Sequence, residues 1–243
     1  MLRKYFSYTK IWIKHGLVFY YDRIIEFFLD FIIPVLVLSF LWYKAGFIES
    51  YEYFLLVYLA GMLSCARLPA RFEILLRTGE FTKILNEPSD LCLRAYFSLL
   101  GGKILHIPML FFIFFFLFLK NAKGTLLILP FLPFIFTLSF FYYFFLSFVV
   151  FYTESSWGVR WVTRMITSLL GGRVLPFPIL EKFLPILRYL PFRLLYSSIF
   201  NIYTGKEDFL SLVFLYSFWI FFFFILAKIV WNNCLRKYRA YGG

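Results

Sequence analysis

The sequence predicts an all-α integral membrane protein: six transmembrane helices, an N-terminal interfacial amphipathic helix, and a broken, re-entrant helical region before the last span. Three observations predict it. The chain is 62% hydrophobic and 16% charged, where a soluble domain is nearer about 45–50% apolar and about 25% charged. Its mean hydropathy is +0.80, and Phe occupies 37 of 243 positions. At about 20 residues per span, this length holds roughly six spans with short loops and no separate soluble domain. The composition excludes an ordinary soluble globule, a disordered chain and a disulfide scaffold.

Residues 2–21 form the first element. On a helical wheel Arg3, Ser7, Lys10 and Lys14 share one arc, and Leu2, Phe6, Thr9, Ile13, Leu17 and Tyr20 share another. A basic face opposite an apolar-aromatic one suits a helix lying in the membrane surface; a cytosolic helix packed on a partner has the same pattern. The basic residues are spread along the segment with no small-residue cleavage site, unlike a secretory signal.

The first span, about 24–44, is entered through Asp22, Arg23, Glu26 and Asp30 and closed by Trp42, Tyr43 and Lys44. A short second span covers about 52–68. After a charged stretch the third runs about 93–119, with Gly101, Gly102 and Pro108 as points of kinking or close packing. The turn from Lys120 to Gly124 leads to the fourth, about 125–152, with Pro130 and Pro133 in its first turns. The fifth, about 157–175, breaks at Gly171-Gly172-Arg173.

From 176 to 205 the chain is apolar but carries Pro176, Pro178, Pro185 and Pro191 among Lys182, Arg188 and Arg193. This reads as broken outer helices, which persist at membrane depth only where protein or a water-filled cavity covers them. The last span is about 208–231, followed by Arg236, Lys237 and Arg239. The whole is a single transmembrane domain, 1–243.

The net charge is +12. In a membrane protein such an excess belongs to cytoplasmic loops facing anionic lipid and not to nucleic acid. Six spans put both termini and the loops at 67–94 and 153–164 on one side, which holds sixteen Lys and Arg against eight on the other, with Lys103 inside the third span. The termini are therefore expected in the cytoplasm and the chain in a cell (inner or plasma) membrane. Cys65, Cys92 and Cys234 are odd in number and read as small buried or interfacial residues. His15 and His106 cannot by themselves make a metal site.

The nearest approach to a phosphate-binding loop is Thr204-Gly205-Lys206, but Phe200 stands where the first Gly is required and Glu207 where Ser or Thr is required. Neither a Gly-x-Ser-x-Gly elbow nor an HExxH motif is present, so the chain is not expected to be an enzyme or to bind a cofactor. Intramembrane ionisable groups are the other candidates. Asp22, Glu26 and Asp30 fall at i, i+4 and i+8 on one helix face, and Lys103 sits in the third span. They make a proton or cation relay, or else a charged entrance paired with Arg23, Arg94 or Lys103.

The segment Arg71–Pro88 is the most informative. Charges of alternating sign surround Phe72, Leu76, Phe81 and Leu85, and a Gly break divides two short helical patterns before Pro88. An amphipathic element of this kind, protruding between two spans, suits docking into a groove of a soluble partner.

Taken together, these features resemble the membrane subunit of a type-2 ATP-binding-cassette (ABC) exporter, in the branch of small six-span permeases. Gly79, Phe81, Leu85 and Pro88 fall on an I-x-x-G-x-(L/F)-x-x-x-L-x-x-P pattern after the second span. Leu169-Leu170-Gly171-Gly172, Leu175-Pro176-Phe177, Leu190-Pro191-Phe192 and Ile202-Tyr203-Thr204-Gly205 resemble the G-x-x-x-P … L-P-F … G pattern before the last span. The chain has Glu80-Phe81 where a smaller aliphatic pair is common.

The resemblance implies two such permeases, identical or different, with two separate ABC ATPase subunits that hold the ATP and Mg. It implies that Phe72, Leu76, Gly79, Glu80, Phe81, Leu85 and Pro88 couple to the ATPase, with a contribution from 154–164. Gly171, Gly172, Pro176 and Pro191 would then shape an outer gate, and the substrate would be hydrophobic or amphipathic. The alternative is an ion-gradient-driven secondary transporter or channel using Asp30, Glu26 and Lys103. A lipid-modifying enzyme and a scaffold are further readings.

Overall fold

The hydrophobic blocks become helices, but not all of them are long and apolar enough to cross a membrane as single helices. The computed structural model describes residues 2–18, 20–87, 90–104, 106–153 and 155–237; Pro88, Glu154 and Arg239, all singled out in the sequence, lie outside them. In chain order the helices are α1 (Leu2–Val18), α2 (Tyr20–Phe27), α3 (Ile33–Lys44), α4 (Ser50–Met62), α5 (Leu68–Arg77), α6 (Glu80–Asn86), α7 (Leu91–Ile104) and α8 (Ile107–Lys120). They continue with α9 (Ala122–Ile128), α10 (Phe131–Ser147), α11 (Val150–Thr153), α12 (Trp157–Leu170), α13 (Phe177–Phe183), α14 (Pro191–Leu195), α15 (Ser198–Tyr203) and α16 (Phe209–Lys237). Among the described residues there is no strand.

Among the described residues, three helical stretches are long and apolar enough to cross a membrane: Ile24–Lys44, Ala122–Thr153 and Phe209–Cys234. The pair α7 and α8, bent by 62°, makes a fourth if it is one span. The first stretch is continuous through a π-helical segment, Phe28–Ile32, where the N–H of Ile33 reaches back to the carbonyl of Phe28. Pro34 accounts for the widening: it has no N–H to give, and its ring crowds the carbonyl four residues back, that of Asp30.

The other two expected spans differ. The expected second span, 52–68, is α4 of 13 residues, about 20 Å long against a hydrocarbon core of about 30 Å. It turns off at Leu63, and Tyr53, Phe54, Leu56, Val57, Leu59 and Ala60 are wholly enclosed. A helix sheathed by α3 and α15 has its backbone satisfied and its side chains covered by protein, so it need not match the bilayer. The expected fifth span, 157–175, is α12 of 14 residues, similarly short, with Arg160 and Arg164 on it and its end at Gly171.

α1 lies along α7. Gly101 permits the approach, since a Cβ there would stand 2.6 Å from the Thr9 carbonyl oxygen, and Thr9 Oγ1 donates to the Phe97 carbonyl at 3.1 Å. Gly102, expected to share that role, has open space around it. α10 packs along α16, and α5 crosses the end of α10.

Candidate functional site

The 68–86 element is a helical hairpin turned on one residue. Gly79 adopts φ +71°, a left-handed conformation in which a side chain is strained, and α5 and α6 fold together across it. Of the four apolar residues in the docking reading, only Leu85 faces outward. Phe72, Leu76 and Phe81 are buried, because the hairpin lies against the ends of the long helices. Phe72 meets Phe144 edge-on at 5.8 Å and Phe148 at 6.2 Å; Phe81 meets Phe151 at 5.4 Å and Trp231 at 6.1 Å. The outward surface is Ile74, Arg77, Glu80, Lys83 and Leu85.

Glu73, on α5, caps the start of α12. Its carboxylate accepts the backbone N–H of Ser156 at 2.9 Å and the Ser156 hydroxyl, with Arg77 at 3.0 Å on its other oxygen. These hydrogen bonds hold its carboxyl below the usual carboxylate range, with Arg77 and Arg160 acting in the same direction. A negative charge at a helix N-terminus also matches the helix dipole.

Beside α12 lies a cavity of about 450 Å3 that gathers residues from distant parts of the chain. The sequence candidates Glu26, Asp30 and Lys103 all line it, but they do not form a chain of carriers. Glu26 pairs with Arg67 at 3.1 Å. Lys103 donates to the carbonyls of Met62 at 2.5 Å and Ser64 at 2.8 Å, closing the electronegative end of α4. Asp30 makes no ion pair with another described residue. Arg71, Arg160, Arg164 and Arg173 complete the charged lining. Arg71 lies over the Trp12 ring at 4.2 Å and Arg173 over Tyr58 at 4.5 Å.

At the far end of α12 the Gly171-Gly172 break is a tightly filled junction. A Cβ on Gly171 would stand 2.4 Å from the Thr167 carbonyl and 2.7 Å from that of Phe192. Gly172 has φ +85°, and a Cβ there would stand 2.3 Å from the Tyr53 hydroxyl. That hydroxyl, fully buried, donates to the Gly172 carbonyl at 2.7 Å and accepts the Phe177 N–H at 2.8 Å. Pro176, extended before α13, and Pro191, at the first turn of α14, are both buried and set the direction of the short helices. Arg193 and Glu207 form an ion pair at 2% and 7% exposure.

Sequence reasoning located the two glycine breaks and three charged residues of the cavity wall, Glu26, Asp30 and Lys103. It missed Tyr53, which looked like any aromatic residue of an apolar helix, and the Glu73–Ser156 cap. Arg160 and Arg164, spaced i, i+4 beside Trp157 and Trp161, offered a signal that was absorbed into the charge balance of the loops.

A family model described as ABC-2 family transporter protein matches residues 42–242. No curated protein matches the chain, and no solved structure does.

Proposed function

We propose, because the chain belongs to the ABC-2 family of transporter proteins, that this multi-pass membrane permease is the membrane half of an ATP-driven exporter. It would carry no catalytic site or bound cofactor of its own and would work with separate ABC ATPase subunits that hold ATP and Mg. Two permeases, identical or different, would assemble in a cell (inner or plasma) membrane with both termini in the cytoplasm.

The observation that carries this reading is the Glu73–Ser156 cap. It joins the 68–86 hairpin, the expected ATPase contact, to one end of α12, whose other end is the Gly171-Gly172 junction. Closure of the ATPase pair would press on the outward face of the hairpin at Ile74, Arg77, Glu80 and Lys83. The buried faces of Phe72 and Phe81 pass the push to α10 and α16, and Glu73 passes it to α12. α12 then loads the junction held by Tyr53, Pro176 and Pro191, the proposed outer gate. The alternative, an ion-gradient transporter, finds Asp30 on the cavity wall but Glu26 and Lys103 already engaged by Arg67 and by backbone carbonyls.

Mild-detergent purification with mass spectrometry of what accompanies the chain, followed by an ATPase assay, tests the reading. A stoichiometric soluble ATPase supports it. A chain that purifies alone, hydrolyses nothing and transports on a proton or sodium gradient abolished by Asp30→Asn overturns it.

A further inference from the structure

We infer that the cavity beside α12 receives the anionic, phosphate-bearing headgroup of an amphiphile, with the indoles of Trp157 and Trp161 against its apolar part. That such a molecule is the transported substrate rests on the permease reading; that it binds does not.

Charge is the first argument. Six cationic side chains line the cavity against two carboxylates, an excess of four positive charges around about 450 Å3, a volume within the roughly 300–1,000 Å3 of small-molecule sites. Of the two carboxylates, Glu26 is taken by Arg67. The cation–π contact of Arg173 orients its guanidinium without neutralising it. Like charges gathered in a partly enclosed space repel, and an anion relieves that repulsion.

Position is the second. Positive residues at a cytoplasmic surface follow from topology alone, but Arg173 is expected on the opposite side of the membrane from Arg71, Arg160 and Arg164. The cavity brings them together along α12, which spans about 21 Å, so this is a basic column through the depth of the chain and not an interfacial belt. Cations so placed mark a pathway.

Unmet hydrogen bonding is the third. The Nε of Arg160 and the Oγ of Ser64 are buried on the cavity wall without a hydrogen-bond partner among the described residues. A guanidinium offers paired donors that match phosphate oxygens. Trp157 and Trp161, 64% and 54% exposed, put broad apolar surface beside those donors, the combination an amphiphile needs and a free anion does not.

The test is titration of the delipidated full chain in neutral detergent with short-chain phosphatidylglycerol, short-chain phosphatidylcholine and inorganic phosphate, read by tryptophan fluorescence. Phosphatidylglycerol is expected to bind about tenfold tighter than phosphatidylcholine, and Arg160→Gln or Arg164→Gln to remove about tenfold of that affinity. Trp157→Phe with Trp161→Phe should abolish most of the signal. If Arg160→Gln fails to fold, Arg164→Gln on the exposed side keeps the comparison. Equal affinity for the two lipids, full affinity in both Arg variants, or inorganic phosphate binding as tightly as phosphatidylglycerol overturns the inference. Selective binding without any associated ATPase would remove the permease reading and keep the site; an associated ATPase without selective binding would do the reverse.

Discussion

The Glu73 carboxylate accepts both the backbone N–H and the hydroxyl of Ser156, fastening α5 to the first turn of α12 across 83 residues of sequence. Because the folded state holds this carboxyl below the usual carboxylate range, the cap stabilises the protein at neutral pH. That stabilisation is lost as pH falls through the folded-state value, since the unfolded chain then takes up the proton more readily. Glu73→Gln should lower the melting temperature at pH 7 by an amount corresponding to about 1–2 kcal/mol. The difference between wild type and variant should shrink toward zero as the pH is taken below about 4. Thermal unfolding of both proteins across pH 3–8 checks this.

In the assembled transporter, Ser156→Ala should leave ATPase association intact and lower transport per ATP hydrolysed, because the hairpin keeps its buried face while its tie to α12 weakens. Hydrolysis and flux measured on the same reconstituted complex distinguish this from simple loss of assembly. Wild-type coupling in Ser156→Ala would remove α12 from the proposed path.

Gly79 is the hinge of the hairpin, and nothing lies within 4 Å of where its Cβ would be. Substitution there is therefore a backbone effect alone. Gly79→Ala should destabilise by about 1–2 kcal/mol, and Gly79→Asn by less, since Asn visits the left-handed region more readily. Both variants should fold and insert while transport falls in the order Gly, Asn, Ala, read as melting temperature and flux on the same preparations.

How much of this was legible in the sequence depends on range. Gly79 and the Gly171-Gly172 pair announce breaks wherever they stand, because a residue without Cβ in an apolar-periodic segment has few other uses. Gly101 signalled close packing, and the structure supplies its neighbour, Thr9. Hydropathy counts six spans, while helix length supports three among the described residues, or four with α7 and α8 as one: α4 is as apolar as a spanning helix, and hydropathy does not distinguish a helix enclosed by protein from one enclosed by bilayer. For the same reason the large apolar residues of the hairpin read as a docking face, when Phe72 and Phe81 turn onto Phe144, Phe151 and Trp231. Arg173 shows the limit for the site, since its distance from Arg71 in sequence carries no trace of their shared cavity.

Tyr53 makes the gate region a test of buried hydrogen bonding. Its hydroxyl serves Gly172 and Phe177 at once, so Tyr53→Phe leaves a buried carbonyl and a buried N–H without that partner, at about 1–3 kcal/mol each. The variant should melt well below wild type. Gly172→Ala should be worse than Tyr53→Phe, because the methyl group must enter the space of the Tyr53 hydroxyl at a positive φ. The double variant Tyr53→Phe with Gly172→Ala should lose less than the sum of the two, as removal of the hydroxyl vacates that space. A double-mutant cycle on melting temperature checks the non-additivity.

Arg193 and Glu207 form the most enclosed ion pair among the described residues, joining α14 to the segment that leads into α16. Arg193 also lies over the Phe177 ring at 5.6 Å, so the pair sits under the same junction that Tyr53 holds from the other side. An ion pair this deep owes its position to mutual compensation and not to net attraction, because removing two charges from water offsets most of what they gain from each other. Loss of one member is therefore the damaging event. Arg193→Met should destabilise by up to about 3–5 kcal/mol, because the enclosed Glu207 then keeps only the exposed Arg188, at 3.8 Å, as a cationic partner. Arg193→Met with Glu207→Gln should recover most of the stability at neutral pH. If the pair only stabilises, the double variant will also transport normally; if it aligns α14 with the gate, the double variant will melt near wild type and still transport poorly. Melting temperature and flux measured together on the three proteins separate the two roles.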